Sequence, residues 1–147
     1  MIEGFPIVVP IPLLWGDHDE FGHVNNTVYL RWCETARVVY LKQVGLWPPL
    51  PPSAVGPILA AISCDYRLPL TWPDTVLVGA RITRIGRSSI RMEHVVFSQA
   101  AGQVAADVAS TIVMLDYASN RSVPVSPEAR QAIESLEGKP VAEPAGM

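Results

Sequence analysis

Hydrophobic and polar positions along the chain keep first one period and then another. Residues 6–14 (PIVVPIPLL) are apolar and extended, and Pro6, Pro10 and Pro12 confine such a segment to a sheet edge. Residues 15–26 (WGDHDEFGHVNN) have the Gly, Asp, His and Asn content of a loop. From Thr27 to Val44 there is no Gly or Pro, and Gly45 ends the run. On a helical wheel Val28, Val39, Trp32, Ala36, Tyr29, Tyr40, Cys33 and Val44 form a stripe of roughly 160°, interrupted by Gln43, so the segment reads as one long, largely covered helix. Arg31, Glu34, Arg37 and Lys42 fall on the opposite side; Glu34 and Arg37, three apart, read as a surface or interface ion pair. Either Asn25 or Asn26 suits the N-cap.

After a stiff proline-rich loop, 47–57, the period changes to two. Ile58–Leu68, Thr75–Ile85, Ser88–Ser98 and Gln103–Tyr117 alternate as long strands. Their short connections (LPLTWPD, IGR, QAAGQ) call for antiparallel hairpins or a meander rather than crossovers. Ser126, Pro127 and Glu128 open a short terminal helix. These elements predict an α+β domain over 1–138, with a curved antiparallel β-sheet wrapped around one long central helix, and a flexible tail at 139–147. The edge strands such a sheet leaves open favour dimerisation.

Composition narrows the function. Of 147 residues, 49% are hydrophobic and 17% charged, which excludes a disordered chain. A net charge of −3 offers no electrostatic footprint for nucleic acid. The apolar N-terminus carries an acid and three prolines, suiting neither a signal peptide nor a membrane span, so a cytoplasmic protein is expected. Two cysteines make no disulfide framework.

Residues 17–37 (DHDEFGHVNNTVYLRWCETAR) say more. Asp17, Asp19, Gly22, His23, Val24, Asn25, Asn26, Tyr29, Glu34, Ala36 and Arg37 resemble the signature of hotdog-fold thioesterases of the 4-hydroxybenzoyl-CoA thioesterase type, and DYRLPL (65–70) resembles that family's second-strand ending. The resemblance implies a hotdog fold and cleavage of acyl-CoA at subunit interfaces in a homodimer or homotetramer. It also implies that Asp19, the second Asp of D-x-D, does the chemistry as nucleophile or general base.

The residues support that reading on their own terms. A carboxylate just before a helix start meets free N–H groups and the positive end of the helix dipole, a natural oxyanion site. His23 and Asn26 could line the pocket; a loop-stabilising His and an N-cap Asn are their bland alternatives. Asp17 reads as a loop-shaping acceptor, and Gly22 as a backbone conformation that other residues resist. Arg84, Gly86, Arg87, Ser88 and Ser89, at a strand turn, offer the cations, hydroxyls and amides that coenzyme A phosphates want; by resemblance this hairpin docks the nucleotide. Arg67 could pair with Asp65 or line the pocket. No metal is expected from Asp17, His18, Asp19 and His23, nor any other cofactor, and neither a G-x-S-x-G elbow nor an accessible cysteine supplies another nucleophile. Trp47 and the proline-rich loop could narrow an acyl tunnel. A hotdog hydratase or dehydratase and a silent acyl-CoA-binding module are the competing readings.

Overall fold

A computed structural model describes residues 2–47 and 55–141. The elements are β1 (Ile7–Pro12), α1 (Asn26–Gln43), β2 (Val55–Tyr66), β3 (Thr75–Ile85), β4 (Ser89–Ser98), β5 (Gln103–Asp116), β6 (Arg121–Ser122) and α2 (Pro127–Glu137), with a 3-10 turn at Trp15–Asp17. All strand pairs are antiparallel, in the order β1-β3-β4-β5-β2, and β6 adds to the end of β5. The α+β expectation holds. The predicted tail lies outside the described residues from 142 onward, as does most of the proline-rich loop.

Two strand expectations need correction. The segment after β2 does not close a hairpin, because β2 and β3 lie on opposite sides of the β4–β5 pair and are not neighbours. The strand also begins earlier than predicted, at Val55, and includes Pro57. Pro57 stands opposite Met114, whose N–H goes to Ser88 and whose carbonyl accepts from Val123, so the pair exchanges no hydrogen bonds. The missing proline N–H therefore points off the free edge, where it costs the sheet nothing.

Helix α1 is capped by Asn25, whose Oδ1 accepts from the Thr27 N–H at 2.9 Å. It lies on the sheet's inner face, where Val28, Trp32, Cys33, Ala36 and Tyr40 meet Val78, Ala80, Ile82, Met92 and Val96 in one core. It packs chiefly against β1, β3 and β4. Two residues depart from the predicted wheel. Val39 is 39% exposed, while Arg37 is buried and forms no ion pair with Glu34. Helix α2 is tied down by Glu137, whose Oε2 accepts from the Tyr40 hydroxyl at 2.6 Å and from the Ile82 N–H at 2.9 Å.

On the outer face, Phe5 from the N-terminal segment lies over Gly79 and Val95. A Cβ at Gly79 would stand 2.8 Å from the Phe5 ring and 2.9 Å from Val95 Cγ1. Gly79→Ala is therefore expected to lower stability by about 1–3 kcal/mol through overpacking, read as a shifted urea midpoint with unchanged slope.

His94 is 2% exposed; its Nδ1 donates to the Gly79 carbonyl at 3.0 Å and its Nε2 has no partner. Burial, with the Arg37 charge adding to it, brings its pKa down to about 4. The ring is neutral in the fold but takes up a proton in the unfolded chain below about pH 6.5. The unfolded state then binds more protons, so stability is lost as pH falls from about 6.5 towards 4, by of the order of 3 kcal/mol. Denaturation curves at pH 7 and pH 4.5 should show this loss, and His94→Gln should flatten it.

Candidate active site

The loop between β1 and α1 is held by its own polar residues. Asp17 is 6% exposed; its carboxylate accepts from the Leu14 N–H at 2.8 Å and from Arg31 Nη2 at 3.2 Å, and its carbonyl accepts from the Asn25 N–H. Asp17 is thus the loop-shaping acceptor its sequence context suggests. His18 Nε2 accepts from the Trp72 N–H at 2.9 Å, with the Trp15 ring edge-on to both His18 and Trp72. Between these anchors the chain turns tightly: the Asp19 N–H donates to the His23 carbonyl, the Gly22 N–H to the Asp19 carbonyl, and Gly22 takes a φ of +81°.

Asp19, His23 and Asn26 line one open cleft of about 360 Å³, together with Val24, Tyr29, Tyr66, Arg67, Leu68 and Pro69. The structure therefore brings the three candidate catalytic residues together. One Asp19 oxygen, Oδ1, accepts from the Phe21 N–H at 2.9 Å; Oδ2 has no partner among the described residues. Because Asn25 takes the capping role, Asn26 keeps its side-chain amide and its own N–H unpaired among the described residues. The cleft thus holds a half-free carboxylate, an imidazole and a free backbone donor at the positive end of an 18-residue helix.

Sequence reasoning left out two tyrosines. Tyr66 donates its hydroxyl to the Asn26 carbonyl at 2.9 Å, Tyr29 donates to Leu68 at 3.1 Å, and their rings meet edge to face at 5.0 Å. Together they fasten the end of β2 to the first turn of α1. Tyr29 stands in the signature, but its neighbour across the groove depends on the strand crossover, which local pattern does not reveal. Arg67 pairs with Asp107 on β5, not Asp65, and also lines the cleft.

The coenzyme A candidates lie elsewhere. Arg84, Gly86, Arg87, Ser88 and Ser89 form the β3–β4 turn, at the far end of β3 from the Asp19 loop; ten strand steps separate the two by about 33 Å. The carbonyls of this turn are occupied: Ser89 by Gly86, Ser88 by Met114, Arg87 by Val125, and Gly86 by the Arg130 guanidinium. Its Arg87 and Ser88 N–H groups donate to nothing among the described residues, and the Arg84 and Arg87 side chains are exposed. A single chain does not unite these residues with Asp19.

A family model described as the thioesterase-like superfamily matches residues 13–133. The chain belongs to that superfamily. A thioesterase of Thermus thermophilus, crystallised with coenzyme A and zinc, is 36% identical with a TM-score of 0.83, over 95% of this chain and 99% of its own. A putative thioesterase of Pseudomonas aeruginosa is 34% identical with a TM-score of 0.80, over 88% and 98%. By sequence, the long-chain acyl-CoA thioesterase FadM of Escherichia coli is 25% identical over 118 residues, 80% of this chain and 89% of FadM. This thioesterase has the hotdog arrangement inferred from the signature.

Neither cysteine of the thioesterase is equipped as a nucleophile. Cys33 is fully buried, which pushes its thiol up to about 12, and burial also raises Cys64. Among the described residues no three His, Cys, Asp or Glu side chains are placed to share a metal ion. No described helix is long and apolar enough to cross a membrane. Because the loop hangs on Asp17, Asp17→Ala is expected to cost about 1–3 kcal/mol by orphaning the Leu14 N–H. Thermal melting measures this, and faster hydrogen exchange at residues 14–25 localises it.

Proposed function

We propose that this thioesterase hydrolyses acyl-CoA to the free acid and coenzyme A, with Asp19 as its catalytic carboxylate. The observation that carries the reading is the meeting of Asp19, His23 and Asn26 in one cleft at the N-terminus of α1. The unpaired Asn26 N–H is the group that would polarise the thioester carbonyl as negative charge develops on its oxygen. Asp19 then acts in one of two ways. As general base it takes a proton from water while the water oxygen bonds to the acyl carbon and the carbon–sulfur bond breaks. As nucleophile it displaces the thiolate itself, forming an acyl anhydride that water cleaves. Both routes release one acid and one thiol per water consumed. Asn26 and His23 contact the reacting groups; Tyr66 positions Asn26 through its carbonyl.

The β3–β4 turn is the nucleotide-docking element in this reading, supported by its two exposed arginines and unpaired N–H groups. Its distance from Asp19 within one chain supports a homodimer, paired further into a homotetramer, in which the turn of one chain serves the cleft of another. Two free thiols accord with a cytoplasmic setting.

The test is thiol release from short, medium, long and aromatic acyl-CoAs. Asp19→Asn should lower kcat at least about a hundredfold while circular dichroism stays unchanged. A variant that folds and retains wild-type turnover would remove Asp19 from the mechanism.

A further inference from the structure

Arg130 stands at the wrong end of its helix. It closes the first turn of α2, where the helix dipole is positive and a cation is disfavoured. Its guanidinium reaches instead to the β3–β4 turn and the segment before α2. It donates to the carbonyls of Gly86, of Arg87 at 3.4 Å and of Val125 at 3.4 Å. The Arg87 carbonyl also accepts from the Val125 N–H at 2.8 Å, so this stretch of backbone is held from the α2 side.

The hold acts through to the turn's other face. The peptide bonds of the turn are trans, and in a trans peptide the C=O and N–H point in opposite directions. The Gly86 carbonyl shares its peptide unit with the Arg87 N–H, and the Arg87 carbonyl shares its own with the Ser88 N–H. Drawing both carbonyls towards α2 therefore aims both N–H groups away from it. Neither N–H has a partner among the described residues, and nor do the Ser88 and Ser89 hydroxyls. Arg84 and Arg87 flank them, exposed and without an ion pair among the described residues.

The carbonyls of residues 86–89 are all engaged within the protein, so the turn shows its outer side donors and cations alone. Adjacent peptide N–H groups of that kind suit a phosphate, and charged partners strengthen the bonds. A guanidinium keeps its charge, so Arg130 adds its field to those of Arg84 and Arg87 from behind the turn. Without it the Gly86 carbonyl is free to rotate outwards and set a negative oxygen against the phosphate. We infer that Arg130 is the positioning residue of a phosphate site: by holding the Gly86 and Arg87 carbonyls, it fixes the Arg87 and Ser88 N–H groups on a phosphate of the coenzyme A nucleotide. This deepens the docking role proposed for the turn and rests on it.

Acyl-pantetheine carries the same thioester without any phosphate, so it separates this role from folding and from chemistry. Arg130→Met should raise KM for acyl-CoA at least about tenfold with kcat held, while kcat/KM for acyl-pantetheine stays at the wild-type value. Arg130→Lys keeps the charge on one ammonium that lacks the planar fork, so KM for acyl-CoA should still rise at least about threefold. Should Arg130→Met fail to fold, the Lys variant decides alone. A wild-type KM in Arg130→Lys overturns the inference in favour of charge alone. An equal loss on both substrates in Arg130→Met overturns it in favour of a structural tie. A wild type that cleaves acyl-CoA and acyl-pantetheine equally well overturns the docking role of the turn as well, and leaves the Asp19 test standing.

Discussion

A sheet of five strands is about twice as wide as the helix it has to cover. Strands stand about 4.8 Å apart, so the sheet spans about 20 Å, whereas a helix with its side chains is about 10 Å across. Here α1 sits over β1, β3 and β4. The part of the inner face made by β5 and β2 is left as a groove running alongside the helix. The cleft at Asp19 lies between the start of α1 and the end of β2, and a groove at Arg37 between the middle of α1 and the start of β2.

The way polar groups are shared out at the start of α1 completes the cleft. Asn25 satisfies the helix cap and Asp17 holds the preceding loop, so neither task falls to Asn26 or Asp19. Of each residue type, one member holds the backbone and its near neighbour keeps polar atoms free in the cleft. Tyr29 on the helix and Tyr66 on the strand, each bonded across to the other's side, then fix the distance between helix and strand.

Much of this was legible in the residues. The gap in Gly and Pro between 27 and 44 marked α1 to within one residue at each end, and alternation marked the strands. The signature singled out the loop that lines the cleft. What escaped depended on non-local geometry. Periodicity reports which positions are apolar, but the buried position of Arg37 is set by where the sheet ends, and a helical wheel has no knowledge of that. Pro57 looked like a loop residue because a proline breaks an interior strand; on an edge it does not. The pairing of Arg67 with Asp107 arose from β2 crossing to the far side of β5, a choice that connection length alone does not dictate. Asn25 and Asn26 were indistinguishable as caps until the chain direction into the helix was known.

The separation of the Asp19 loop from the β3–β4 turn has a thermodynamic consequence. In the proposed assembly, a ligand too short to span that separation reaches both only by bridging two chains, so its binding and their association are linked equilibria. Such a ligand tightens the assembly by the same factor by which assembly tightens the ligand. Dilution would then weaken apparent substrate affinity before it affected the fold, and substrate abundance would act as a signal for assembly as well as a feed for the reaction.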